Sequence, residues 1–161
     1  MNDPRIPPGR HAHFIAAAPA VRQVADALDA FCAAERLPQQ AAWQLQVALD
    51  EIVANLVSHA TPAGTRPGFD VWFRRDGDSV EITVADEGTA FDPLARADPD
   101  VTLSLEARQP GGLGIMLVKS LMDDVRYERT PTRNMLTIRK RITAGDAPGG
   151  AGPDEHPAKR S

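Results

Sequence analysis

The order of apolar patterns in this 161-residue chain predicts an α+β fold: a two-layer sandwich with helices on one face of a mixed, mostly antiparallel sheet. Three observations carry that prediction. Two helical periodicities stand side by side near the start. Two alternating strands follow, joined by Asp76-Gly77, and a third apolar helix precedes a last pair of strands. Strands gathered in pairs with few crossovers form one sheet, and amphipathic helices bury their stripes against it.

Each element has a local reason. His13 to Ala18 is a short apolar run, read as a strand. Pro19 then suits a helix start, where a missing N–H is no loss. Behind it Val21, Val24, Ala25, Leu28, Phe31 and Cys32 recur at helical spacing. Pro38 opens a second helix that runs to about Ala60, closed by Pro62 and Gly64. Phe69, Val71 and Phe73 alternate with Asp70, Trp72 and Arg74, and Val80, Ile82 and Val84 alternate with Glu81 and Thr83, giving two half-buried strands around a hairpin turn. From Gly88 to Pro110 the chain reads as loop, with a short helix expected over Val101 to Ala107. Gly111 to Gly114 opens a helix ending near Asp124, and Val125 to Arg129 and Met135 to Ile142 are the last strands.

Composition narrows the class of protein. Hydrophobic residues make up 42% and charged residues 25%, as in an ordinary globular domain, and the length suits one domain. The net charge of −4 speaks against direct nucleic-acid binding, which needs a basic face. Cys32 is the single cysteine, so no internal disulfide forms and a reduced compartment is expected. The first residues lack the apolar core of a signal peptide, and no run approaches about 18 apolar residues. A cytoplasmic protein without membrane contact is therefore expected. Residues 1–10 read as a flexible N-terminus, 11–143 as the domain, and 144–161, rich in Gly, Pro and charge, as a disordered tail.

Three segments carry chemistry. In the second helix Glu51, Asn55 and His59 are spaced i, i+4, i+8 and drift only about 80° in total, so they form one polar line beside the core stripe of Leu45, Leu49, Ile52 and Leu56. Asn offers a neutral carbonyl oxygen for Mg²⁺, and Glu a carboxylate that takes a proton. Next comes Asp86-Glu87-Gly88-Thr89-Ala90 at the end of a strand. Asp86 is an acceptor placed to read an exocyclic amine, and Gly88 lets a flat ligand approach the backbone. Finally Gly111, Gly112 and Gly114 flank Leu113 at the start of an apolar helix, where free N–H groups suit an anion. Taken alone, each has a plainer reading: a polar helix shoulder, a common Asp-x-Gly turn, a flexible joint. The order metal ligand with base, amine reader, phosphate cradle is more specific than its parts.

On those residues the chain resembles the GHKL superfamily, the Bergerat ATP-binding fold, with the segments matching its N box and two glycine boxes. DEIVANLVSH and GGLGIMLVKSLMDDVRYER are most similar to the small serine/threonine kinases that act as anti-sigma factors in bacterial partner switching. The resemblance spans about His13 to Ile142. It implies ATP and Mg²⁺ as cofactors, with Asn55 holding the metal and Glu51 orienting or deprotonating the acceptor hydroxyl. It implies that Asp86 bonds the adenine amine over a floor kept open by Gly88, that His59 and Ala90 line the pocket, and that Gly111, Gly112, Leu113 and Gly114 wrap the phosphates. Asp92 to Pro110 matches the lid, where Arg108, ahead of Arg96, is the candidate γ-phosphate cation. Arg22 falls where relatives present an arginine to protein partners. The family's Gly-Thr before the last strand is replaced by Asn134-Met135. Thr137 is the other candidate near the adenine, and strand parity disfavours it.

The implied function is sequestration of a sigma factor or similar target and phosphorylation of a serine on a STAS-domain antagonist, by a homodimer. A nucleotide-gated binding switch without phosphoryl transfer is the alternative. Glu51 favours catalysis, because a binding module has no need of that carboxylate.

Overall fold

The computed structural model describes residues 7–59, 67–95 and 113–143. The elements run β1 (Arg10–Ile15), α1 (Ala20–Ala34), α2 (Gln39–His59), β2 (Gly68–Asp76), β3 (Ser79–Asp86), α3 (Leu113–Leu121), β4 (Asp124–Arg129) and β5 (Asn134–Arg141). The sequence order of helices and strands is thus the observed one. The expected helix over Val101 to Ala107, the close of α2 at Pro62 and Gly64, and the tail from Ala144 lie outside the described residues.

The five described strands form one sheet in the order β1-β2-β3-β5-β4. Every described pairing is antiparallel, so the sheet is not mixed. Two of these pairings follow from local connection: β2 and β3 close through Gly77 at φ 59°, and β4 and β5 through a tight turn at 130–133. Insertion of β5 between β3 and β4 brings Asp86 opposite Asn134.

All three described helices contribute to one core on one face. Val24, Leu28 and Phe31 of α1, Leu45, Leu49, Ile52 and Val53 of α2, and Val118 of α3 pack on Phe69, Val71, Phe73, Ile82, Val84 and Ile138. Phe69 and Phe73 are fully buried, and truncating such a ring costs about 3–5 kcal/mol. Cys32 belongs to this core. Burial, helped by the Asp29 charge, pushes its thiol up to about 11, so it is a packing residue rather than a nucleophile.

Two expectations from alternation are corrected. The first strand begins at Arg10, inside the segment expected to be flexible, and ends at Ile15 rather than Ala18. It is held by side-chain polarity as well as apolar content. His11 Nε2 and His13 Nδ1 lie 2.7 and 2.9 Å from the same Asp70 oxygen, and Arg133 donates to the other at 2.7 Å. The second concerns β2, which is buried on both faces, not half-buried. Trp72 is only 5% exposed although none of the described helices covers it: the His11 ring stacks on it at 4.9 Å and the Arg133 guanidinium lies 5.8 Å from its centre.

Burial alone would raise the Asp70 carboxyl, but the two histidines and then the Arg133 charge outweigh it and hold it below the ordinary 3.8. A lowered native value means stability that is complete above 3.8 and is lost as pH falls through the native value. Asp70→Asn should therefore cost about 1.5–3 kcal/mol at neutral pH. Urea titrations should show the gap to wild type closing only in strong acid. A gap of the same size at every pH would show that the carboxylate charge is not what holds β1.

Candidate functional site

The seam between α2 and the sheet opens into a cavity of about 310 Å³, enough for a small ligand. One wall is α2, with Ile52, Asn55, Leu56 and His59. The other combines Val84 and Asp86 of β3, the segment from Gly88 to Phe91, Ile115 of α3, and Tyr127, Asn134 and Leu136 of the last strands. The middle is apolar and the rims are polar, which suits a flat heterocycle bearing polar edges.

The polar line of α2 is as the helical spacing requires. Asn55 is half-buried on the cavity wall, and its side-chain amide has no hydrogen-bond partner among the described residues. It offers a neutral oxygen, oriented by the helix and unspent by the protein, of the kind a hard cation accepts. His59 Nδ1 lies 2.8 Å from the Asn55 main-chain carbonyl, which only accepts, so Nδ1 is the donor in that bond. The His59 ring also stacks on Phe91, with centres 5.7 Å apart and planes 12° apart, so helix and loop meet across the cavity rim.

Glu51, one turn earlier, is not on the cavity wall but at the α2–α3 seam. A Cβ added at Gly114 would meet Glu51 Oε2, so a side chain there would push the carboxylate out of its present place against the start of α3. The N-terminal end of α3 and the Glu51 side chain therefore sit together.

At the opposite end, Asp86 closes β3. The Gly88 N–H donates to its Oδ2 at 2.9 Å, and a Cβ at Gly88 would lie 2.7 Å from that oxygen, so a side chain there would displace the carboxylate from this placement. Arg129 holds the same turn from outside by donating to the Gly88 carbonyl at 2.8 Å.

The structure thus brings Asn55, His59, Asp86, Gly88 and Ala90 around one hollow, with Glu51 and Gly114 beside it. Leu113 opens α3 but is exposed and is not part of the cavity wall. Arg22 is elsewhere, exposed on α1 and 3.4 Å from Asp26. Arg96, Arg108, Gly111 and Gly112 lie outside the described residues. Thr137 is on the far face of the sheet, 3.0 Å from the Thr83 hydroxyl, as strand parity requires. Sequence reading missed Tyr127 and Phe91 as site residues and left Asn134 without a role. Their only signal was parity and proximity to the Asp86 turn, which needs the β3–β5 register to be known.

The comparison with protein families decides the class. Residues 14–140 match the model of the histidine kinase-like ATPase domain. The chain belongs to that family. Among curated relatives of this histidine kinase-like ATPase domain is the serine/threonine-protein kinase BtrW of Bordetella bronchiseptica, 34% identical over 94 residues, which make up 58% of this chain and 66% of the relative. The serine-protein kinase RsbW of Listeria monocytogenes is 35% identical over 86 residues, 51% of this chain and 55% of the relative. The chain therefore spans between about half and two thirds of the length of these curated relatives. In fold it is similar to the solved RsbU and RsbW domains of a Mycobacterium tuberculosis protein, with TM-score 0.55 and 18% identity, covering 84% of this chain and 33% of that one. Among the described residues no helix is long and apolar enough to cross a membrane.

Proposed function

We propose that this chain is an ATP-dependent serine/threonine protein kinase of the anti-sigma type. In this reading it sequesters a sigma factor or similar regulatory target and phosphorylates a serine on a STAS-domain antagonist. The single observation that supports it best is the shared hollow with Asn55 on one wall and Asp86 on the other. The family match and the kinase names of the relatives support the same reading.

The residues present fit ATP and Mg²⁺. The apolar middle of the cavity suits a purine, Asp86 offers an acceptor for its amine, and the unpartnered Asn55 amide offers a metal-ligating oxygen. When bound, the nucleotide supplies the phosphoryl group and the metal neutralises its charge; the protein's contribution is positioning and electrostatics. Glu51 stands beside Gly114, where a serine hydroxyl would give up its proton, and its role is to orient that hydroxyl and accept the proton. Arg108, Gly111 and Gly112 complete the phosphate side in this proposal. Arg22, exposed on α1, is assigned to the partner surface. The working form is a cytoplasmic homodimer.

The test is incubation of the protein with Mg-ATP and a candidate STAS-domain partner, scoring serine phosphate by mass spectrometry. Stoichiometric phosphoserine on the partner is the expected result. Nucleotide binding with no phosphate on any partner would instead support a binding switch.

A further inference from the structure

Asn134 opens β5 directly opposite Asp86, and its buried side chain joins three parts of the site. The chemistry of its neighbours fixes how the amide lies. Oδ1 accepts from the Phe91 N–H at 3.2 Å and from the Tyr127 hydroxyl at 2.6 Å. Nδ2 donates to the Thr89 carbonyl at 2.9 Å and to Asp86 Oδ2 at 3.2 Å. A main-chain N–H only donates and a carbonyl only accepts, so a flipped amide would lose both. The neighbouring Arg133 anchors the turn before β5 on Asp70, so the amide is offered from a fixed backbone.

The consequence falls on the two oxygens of Asp86. Oδ2 is engaged twice by the chain itself, by Gly88 N–H and by Asn134 Nδ2. Oδ1 has no partner among the described residues. One oxygen is spent on holding the carboxylate in place and the other is left for a ligand, with acceptor character only.

We infer that Asn134 is the positioning residue that sets purine specificity, making Asp86 Oδ1 a fixed acceptor that takes a purine with an amine at C6 and rejects one with a carbonyl there. The inference rests on the nucleotide reading above. A 6-amino group donates to Oδ1, whereas a 6-oxo group brings lone pairs against lone pairs, which is discrimination by repulsion as well as attraction. Tyr127 acts one step further out: its hydroxyl occupies Oδ1 of Asn134 and so keeps Nδ2 turned toward Asp86.

An isosteric change tests this without leaving a hole. In Asn134→Asp the bonds from Phe91 and Tyr127 survive, but an oxygen replaces the donor facing Asp86 and the Thr89 carbonyl. Two carboxyl groups that close share a proton or splay apart, and either way Oδ1 loses its fixed placement. Calorimetric titration with Mg-ATP and with Mg-inosine triphosphate, run on wild type and on Asn134→Asp, reads the ratio of the two affinities. The ratio should fall by about tenfold or more in the variant, a change that simple loosening of the fold, weakening both nucleotides alike, would not produce. If Asn134→Asp does not fold, Tyr127→Phe is read the same way, with a drop of about threefold or more expected. An unchanged ratio in a folded variant overturns the inference, as does a wild type that binds both nucleotides equally. A wild type that binds neither overturns the nucleotide reading itself.

Discussion

Asn55→Ala should leave the protein folded and unable to bind Mg-ATP. The side chain has no partner among the described residues, so removing it orphans no protein group. Alanine is also the better helix former, so the nucleotide-free melting temperature should hold or rise slightly. What is lost is the neutral oxygen that α2 presents at the cavity wall. Without it the metal keeps an extra water and the phosphate charge is poorly compensated, and affinity should fall by at least about 100-fold. Calorimetry with and without the metal checks this. Wild-type affinity for Mg-ATP in Asn55→Ala would remove Asn55 from the metal site and, with it, the main reason to read α2 as the catalytic helix.

The second large effect is on rate rather than binding. Glu51 stands one turn from Asn55 but off the cavity wall, against Gly114. In the proposed reading a group so placed serves the acceptor hydroxyl and not the purine. Glu51→Ala should keep Mg-ATP affinity within a few-fold and lower phosphoryl transfer by about 10²–10⁴-fold, the usual worth of a positioned proton acceptor. Glu51→Gln, which keeps the packing against Gly114 and removes only the basicity, should match it. If Gln retained full activity, the carboxylate would be a structural neighbour of α3, and the chemistry would have to run through another group. Rate and affinity changing together in both variants would instead place Glu51 in nucleotide binding.

These two outcomes separate the halves of the proposal. Loss of binding tests the nucleotide site, and loss of transfer with binding intact tests the kinase. The partner-switching role needs a third result, phosphate on a serine of a second protein.

How far the sequence reaches can be followed residue by residue. The helical spacing of Glu51, Asn55 and His59 sets their shared line, because a helix turns by a fixed angle per residue whatever surrounds it. The Asp86-to-Gly88 turn and the hairpin at Gly77 were legible for the same reason: their geometry is decided within three or four residues. The apolar alternation of β2 and β3 correctly named the helix-facing side of the sheet.

What local pattern could not supply is who faces whom across the sheet. The start of β1 at Arg10 depends on Asp70, 57 and 59 positions away from the histidines it binds. The burial of Trp72 depends on His11 and Arg133 covering a face that none of the described helices reaches. Asn134 gained its role only because β5 lies beside β3, which puts its amide against Asp86, 48 positions earlier in the chain. By itself, then, the sequence determined the elements, the family resemblance and the short-range chemistry of each motif, because those follow from spacing along one backbone. Tertiary structure alone decided which oxygen of Asp86 is held by the chain and which residue holds it, because hydrogen bonds between strands are set by register, and register is a property of the assembled sheet.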